Sequence, residues 1–152
     1  AYRWVDAQTE YPDSDLDLRQ DPYVSKHRAF TQWSYASKEG DDGEQTRIDA
    51  TIQWVGPQAL PRPFSSSSDF DLHPDESPAF TQVNMQLSRN IHSGFELYAG
   101  VENILDVKQE NPIVGANYPD EFNETFDASL VYGPIFGRMS YVGLRWTLGE
   151  EN

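Results

Sequence analysis

The chain has 152 residues, no cysteine, 25 acidic against 11 basic side chains, and a formal net charge of -14. The absence of cysteine excludes a disulfide framework, thiolate zinc sites, iron–sulfur clusters and a cysteine nucleophile, and the charge excludes a phosphate-neutralising nucleic-acid face. No run approaches the eighteen apolar residues of a transmembrane helix, and the mean hydropathy of -0.68 suggests a soluble domain without excluding a membrane barrel, half of whose strand residues face water. The chain begins at Ala1 within an alternating pattern, without a start methionine or a signal peptide, as a processed or partial chain would.

Period-2 alternation recurs along the chain and helical periodicity does not. It predicts six strands: Tyr2–Tyr11, His27–Lys38, Gln45–Gly56, Ala79–Ile91, Gly94–Asp106 and Met139–Leu148. Each runs to about ten residues or more, long for a soluble protein and close to what crosses a bilayer when tilted.

In strand one Val5, Ala7 and Tyr11 oppose Asp6, Gln8 and Glu10; in strand two Ala29, Thr31, Trp33 and Tyr35 oppose Arg28, Gln32, Ser34 and Lys38. Strand three sets Ile48, Ala50, Ile52 and Trp54 against Arg47, Asp49, Thr51 and Gln53. Strand four sets Val83, Met85 and Leu87 against Gln82, Asn84, Gln86, Ser88 and Asn90. Strand five sets Phe95, Leu97, Ala99 and Val101 against Glu96, Tyr98, Gly100 and Glu102. In strand six Val142, Leu144, Trp146 and Leu148 oppose Tyr141, Gly143, Arg145 and Thr147.

The connectors alternate in length. Pro12–Lys26, Pro57–Pro78 and Val107–Arg138 are long, whereas Glu39–Glu44 and His92-Ser93 are short. Long loops at one end and tight turns at the other are the plan of outer-membrane barrels. One apolar face per strand also fits half of a soluble sandwich. The aromatics tilt the choice: Tyr35, Phe95 and Trp146 stand at the short-turn end of the apolar face, Tyr11 and Trp54 at the other. Aromatic bands on either side of an aliphatic belt fit a membrane-spanning wall.

The run Gly94-Phe95-Glu96-Leu97-Tyr98-Ala99-Gly100-Val101-Glu102-Asn103-Ile104-Leu105-Asp106 resembles the penultimate strand of TonB-dependent outer-membrane receptors. Residues Phe126–Trp146 resemble the last loop and final strand of such receptors from Bacteroidota-like bacteria, and Trp54–Pro61 and Tyr2–Ala7 are similar to earlier strands. The final strand also resembles the signal by which these proteins are recognised for barrel assembly, with Gly143, Trp146 and Leu148 at its glycine and hydrophobic positions. The tail Gly149–Asn152 departs from it, since the signal ends on an aromatic or apolar residue.

The resemblance implies an all-β fold: an antiparallel transmembrane β-barrel of about 22 strands, of which residues 1–148 form the last six and residues 149–152 a short tail. Six strands cannot close around a lumen, and bare edges in lipid are costly. A fragment paired on both edges with the rest of the barrel is therefore expected, rather than a short independent protein. The resemblance further implies outer-membrane placement, active import of a scarce nutrient (a ferric siderophore, cobalamin or other metal complex, with oligosaccharide and peptide also open), and no enzymatic activity. The partners it implies are the rest of the barrel, the plug domain, TonB through a missing N-terminal part, outer-membrane lipid and the nutrient ligand. The alternative is a soluble all-β binding module, for instance for carbohydrate.

Individual motifs carry less. Asp13-Ser14-Asp15-Leu16-Asp17 begins like a calcium loop, but Leu18 and Val24 stand where an EF-hand requires Gly and Glu, so a solvated acidic loop is the simpler reading. Asp69, Asp71, His73, Asp75 and Glu76 form a second acidic group beside the Ser65–Ser68 run, again read as a loop rather than a cation site. His27, His73 and His92 are scattered, so no metal or haem cofactor is expected. In the last loop Tyr118, Phe122, Phe126, Tyr132 and Phe136 interleave with Asn117, which makes these the candidates for ligand contact. Packing of the loop onto the barrel mouth explains them equally well. Glu96, Glu102, Asp49, Arg47, Arg145 and Gln86 are expected to form polar networks on the lumen side.

Lysine occurs three times and arginine eight. Low lysine with excess carboxylate suits a protein facing high salt, where self-repulsion is screened. A halophilic or marine source is the hypothesis, and a stability titration without gain from molar salt would count against it. Attraction of a cationic ligand is the other explanation.

Overall fold

The computed structural model describes residues 1–10, 18–61, 75–92, 94–113 and 130–147. Among them the chain is all-β, antiparallel and without helix, with eight strands: β1 Tyr2–Trp4, β2 Gln8–Glu10, β3 Leu18–Gln20, β4 His27–Ala36, β5 Gln45–Val55, β6 Phe80–His92, β7 Phe95–Glu102 and β8 Met139–Trp146. Six of them form one open sheet in the order β1-β4-β5-β6-β7-β8, and β2 and β3 pair separately.

Five of the expected strands are present within a few residues. The first is not continuous. Tyr2, Arg3 and Trp4 pair with Ala29, Arg28 and His27, and Val5 N–H adds a bond to the Lys26 carbonyl at 2.9 Å. There the partner strand runs out, because β4 begins at His27. The chain turns at Asp6, whose carboxylate meets Lys26 at 3.6 Å and Gln8 Nε2 at 3.2 Å. It then pairs as β2 with β3, Gln8 opposite Gln20 and Glu10 opposite Leu18. The expected loop Pro12–Lys26 thus contains a strand. Alternation reports which face is apolar but not where a partner ends.

The fifth strand ends at Glu102 rather than Asp106, because Asn103 (φ 51°) and Asp106 (φ 55°) take left-handed conformations that stop a strand. The two tight turns use glycine where the chain demands it. Gly43 lies at φ 79° in the β4–β5 turn, and Gly94 at φ 85° opens β7. The latter stands against the Thr147 carbonyl, and Thr147 N–H donates to the Gly94 oxygen at 2.7 Å.

The chain divides into two compact units, each described separately: Ala1–Ala29, Trp54–Phe80 and Lys108–Ile135 in the first, and Phe30–Gln53, Thr81–Val107 and Phe136–Asn152 in the second. The first unit contains the long connectors, the second most of the long strands.

Candidate functional site

In the second unit the ladder aligns side chains of like character. Met85 faces Val101 and Leu87 faces Ala99. Leu97 faces Leu144, Ala99 faces Val142 and Phe95 faces Trp146. Because paired residues project to the same side, β6, β7 and β8 share one apolar face. In β4 and β5, Trp33, Tyr35, Ile48 and Ile52 are likewise open to their surroundings. Val142 is 75% exposed, Trp146 70% and Trp33 69%. Among the described residues only Val55, Leu60 and Leu130 are buried apolar side chains, and all three belong to the first unit. The apolar face of the sheet therefore has no covering layer there.

The opposite face is cross-linked. Ser34 Oγ donates to Asp49 Oδ1 at 2.6 Å, Asn84 Nδ2 to Thr51 Oγ1 at 3.3 Å, and Tyr141 Oη to Gln86 Oε1 at 2.8 Å. Arg145 Nη1 meets Glu96 Oε2 at 2.8 Å, with its guanidinium carbon 5.8 Å from the centre of the Tyr98 ring. These bonds join most of the polar residues singled out from the sequence. Arg47 turns instead to Gln45 of its own strand, at 2.8 Å.

Two tyrosines share that face. Tyr98 lies opposite Gly143, and Tyr141 opposite Gly100. A Cβ on Gly143 would collide with the Tyr98 ring, and one on Gly100 with the Tyr141 ring. Each tyrosine thus lies across the bare backbone of its partner strand, and the two rings meet edge-on with centroids 6.3 Å apart. The signal is visible in the sequence as Tyr98-Ala99-Gly100 and Tyr141-Val142-Gly143. Antiparallel pairing of two Tyr-x-Gly runs sets tyrosine against glycine twice. Gly143, expected as part of an assembly signal, has this packing role in the fold.

Beyond the ladder, Asn103 organises the exit of β7. It is 4% exposed. Its Nδ2 donates to the carbonyls of Val107 (2.6 Å) and Phe136 (3.2 Å). Its Oδ1 accepts from Val107 N–H at 3.1 Å, and its own N–H donates to Asn84 Oδ1 at 2.8 Å. Asp106 Oδ1 then accepts the Arg138 N–H at 2.7 Å while lying against Gly137.

The first unit is built around buried polar groups. Gln58 and Ser77, 4% and 2% exposed, exchange bonds: Gln58 N–H to Ser77 Oγ at 3.1 Å and Ser77 N–H to the Gln58 carbonyl at 2.8 Å. Gln58 Nε2 donates to the Tyr132 carbonyl at 3.1 Å. Gln109 holds the same segment by its Oε1, which accepts from Tyr132 N–H at 3.0 Å and Gly133 N–H at 3.3 Å. Its Nε2 donates to the Leu130 carbonyl at 2.7 Å. Sequence reasoning passed over Gln58, Asn103 and Gln109, since their partners are backbone groups of loops whose route no pattern encodes.

Of the ligand-contact candidates, Tyr132 is half-buried with its backbone clasped by the two glutamines, and Phe136 is 69% exposed. They fall in different units. Asn117, Tyr118, Phe122 and Phe126 lie outside the described residues, as do Leu148 of the expected assembly signal, both acidic-loop starts and His73. Among the described residues no group of three or more histidine or carboxylate side chains could hold a metal. No helix there is long and apolar enough to cross a membrane, which says nothing of strands. Compared with family models, curated proteins and solved structures, the chain matches none.

Proposed function

We propose that the chain is a wall sector of an outer-membrane, TonB-dependent receptor that imports a scarce nutrient such as a ferric siderophore, cobalamin or another metal complex. The observation that carries this reading is the inverted polarity of the sheet. Its apolar face is open, while its polar face is tied together by side-chain bonds. A soluble sheet covers its apolar face with a second layer. A barrel strand turns that face to lipid and its polar face to a wet interior.

Further features support the reading. The long strands, eight to thirteen residues, bracket the span a tilted strand needs in a bilayer, about 9–11 residues. Trp33, Tyr35, Phe95 and Trp146 cluster near the tight turns, next to the aliphatic Ile48, Leu97 and Leu144, as interfacial aromatics do. Arg89 interrupts the apolar register of β6, and its guanidinium reaches Glu44 of the turn at 3.5 Å. That is how a long cationic side chain leaves an apolar layer for its rim. In this reading the resemblance gives Gly143, Trp146 and Leu148 the assembly signal, and ligand contact falls to the loop bearing Asn117, Tyr118, Phe122, Phe126, Tyr132 and Phe136.

The test is lipid contact. Variants keeping Trp146 or Trp33 as the sole tryptophan, folded into vesicles, are expected to lose fluorescence to bromine-labelled acyl chains. A monodisperse 17.3 kDa species in detergent-free buffer, with no quenching on adding vesicles, would overturn the wall reading in favour of a soluble binding module.

A further inference from the structure

The apolar face of β6, β7 and β8 carries one anomaly. Arg89 pairs with Leu97, which pairs in turn with Leu144, so the arginine leaves the sheet on the apolar side. No other Asp, Glu, Lys or Arg does so from the paired residues of these three strands. Phe95, two residues and about 7 Å nearer the tight turn than Leu97, pairs with Trp146, so Arg89 lies just inside an aromatic row. Its guanidinium reaches Glu44 at 3.5 Å, and the two side chains are 60% and 51% exposed. That contact is looser than a charge-assisted hydrogen bond of about 2.7–2.9 Å, and it leaves most of the guanidinium donors and carboxylate acceptors open. Glu44 also ends a strongly acidic turn: Glu39, Asp41, Asp42 and Glu44 stand against Lys38. All of these residues belong to the second unit.

We infer that Arg89 and Glu44 together seat the headgroup of a zwitterionic phospholipid, phosphatidylethanolamine, at the tight-turn rim of the sheet. The inference rests on the wall reading, which puts lipid against this face. The phosphate takes the guanidinium, whose planar fork matches two of its oxygens. The primary ammonium takes the Glu44 carboxylate. The acyl chains then run over Leu87 and Leu97 toward the middle of the sheet, with Phe95 and Trp146 at headgroup level. Charge decides among the headgroups. An anionic lipid such as phosphatidylglycerol brings an uncompensated negative charge beside an acidic turn, whereas the zwitterion brings its own cation. Phosphatidylcholine is zwitterionic too, but its quaternary ammonium has no N–H to donate to Glu44. A pair that merely fastened the turn to β6 would distinguish none of these lipids.

Lipid competition at a single tryptophan tests it on the full chain. Phe95→Trp, with Trp4, Trp33, Trp54 and Trp146 changed to Phe, places the reporter beside Arg89. The protein is folded into vesicles of phosphatidylcholine brominated on its acyl chains, and unlabelled lipids are titrated in. Phosphatidylethanolamine is expected to relieve the quenching about threefold more effectively than unlabelled phosphatidylcholine, the scale of an exposed charge contact, and phosphatidylglycerol no better than phosphatidylcholine. Arg89→Gln and Glu44→Gln each bring phosphatidylethanolamine down to the level of phosphatidylcholine. Native mass spectrometry of the unaltered chain and of Arg89→Gln, released from micelles holding equal amounts of phosphatidylethanolamine and phosphatidylglycerol, reads the same preference without the reporter and decides if the reporter variant does not fold. Quenching that all three lipids relieve equally, or that phosphatidylglycerol relieves best, overturns the inference and leaves the wall reading standing. So does a phosphatidylethanolamine preference that survives both substitutions. Absence of any quenching by the brominated lipid overturns the wall reading and the inference with it.

Discussion

The two units reach order by different means. In the first, half of the buried side chains are polar, Ser25, Gln58 and Ser77 beside Val55, Leu60 and Leu130, and the described connector residues are tied down through bonds from the amide side chains of Gln58 and Gln109 to backbone. In the second, regular ladders do that work, and the large apolar side chains point away from the chain's own interior. Neither contains a fully buried large side chain among the described residues. The first unit therefore depends on each polar bond being satisfied, since an unmatched buried group costs about 1–3 kcal/mol. The second depends on what its outer face meets. That contrast predicts where substitutions act.

The largest effect is expected on the open face. Leu87, 46% exposed near the middle of β6, is an unremarkable surface position if water covers it, and Leu87→Arg would then be almost neutral. If lipid covers it, the substitution costs about 2–4 kcal/mol, read as a loss of stability in denaturant titrations of the vesicle-bound protein. Gln86→Arg, on the opposite face of the same strand, is the control and is expected to cost much less. Equal effects at the two positions would remove the distinction between the faces.

Next comes the crossed pair of tyrosines. Gly143→Val forces the Tyr98 ring off its partner strand, and Gly100→Val does the same to Tyr141. Overpacking of this kind costs about 1–3 kcal/mol. Tyr98→Ala in the Gly143→Val background is expected to recover part of the loss, while the same change in the Gly100→Val background recovers none. Melting of the four variants decides it.

One keystone in each unit then sets the two modes side by side. Asn103→Ala strips the partners from the Val107 N–H and the Phe136 carbonyl and leaves alanine at a left-handed φ, an expected loss of about 2–3 kcal/mol. Asn103→Gly, which tolerates the conformation, should lose less. Gln109→Ala opens the clasp on Leu130, Tyr132 and Gly133; water reaches that half-buried site, so about 1 kcal/mol is expected. Hydrogen exchange should show each loss confined to its own unit, and spread of either across the chain would merge the two.

The same division marks how far the sequence could be read. Alternation in β4 to β8 located the long strands of the described residues and the apolar face of each, because a period of two is written residue by residue. The repeated Tyr-x-Gly of β7 and β8 was equally available. What escaped was decided by contact between distant segments. β2 and β3 are three residues each, too short for a period to register. The breakdown of the first expected strand depends on where β4 begins, 25 residues from Tyr2 along the bond that joins Tyr2 to His27. Asn103 was in view as part of a family-like run, but its role comes from the loop carbonyls it meets.

The smallest expected effect concerns the ion pair of Arg145 and Glu96 on the polar face. Arg145 is 67% exposed in its side chain and Glu96 17%, so the pair sits partly in water and is worth about 0.5 kcal/mol at most after screening. Its response to salt differs in sign from that of the whole chain. A net charge of -14 makes the folded state repel itself, and molar salt, with a screening length of about 3 Å, relieves that repulsion and raises stability. The same salt weakens the attraction between Arg145 and Glu96. Arg145→Ala, which has no such attraction to lose, should therefore gain slightly more from salt than the unaltered protein, although it starts slightly less stable. Parallel salt titrations of the two proteins measure the difference. Curves that converge at high salt assign the pair its small stabilising share. Curves that stay equally apart mean that Arg145 acts through its packing on Tyr98, where the guanidinium carbon lies 5.8 Å from the ring centre, and not through its charge.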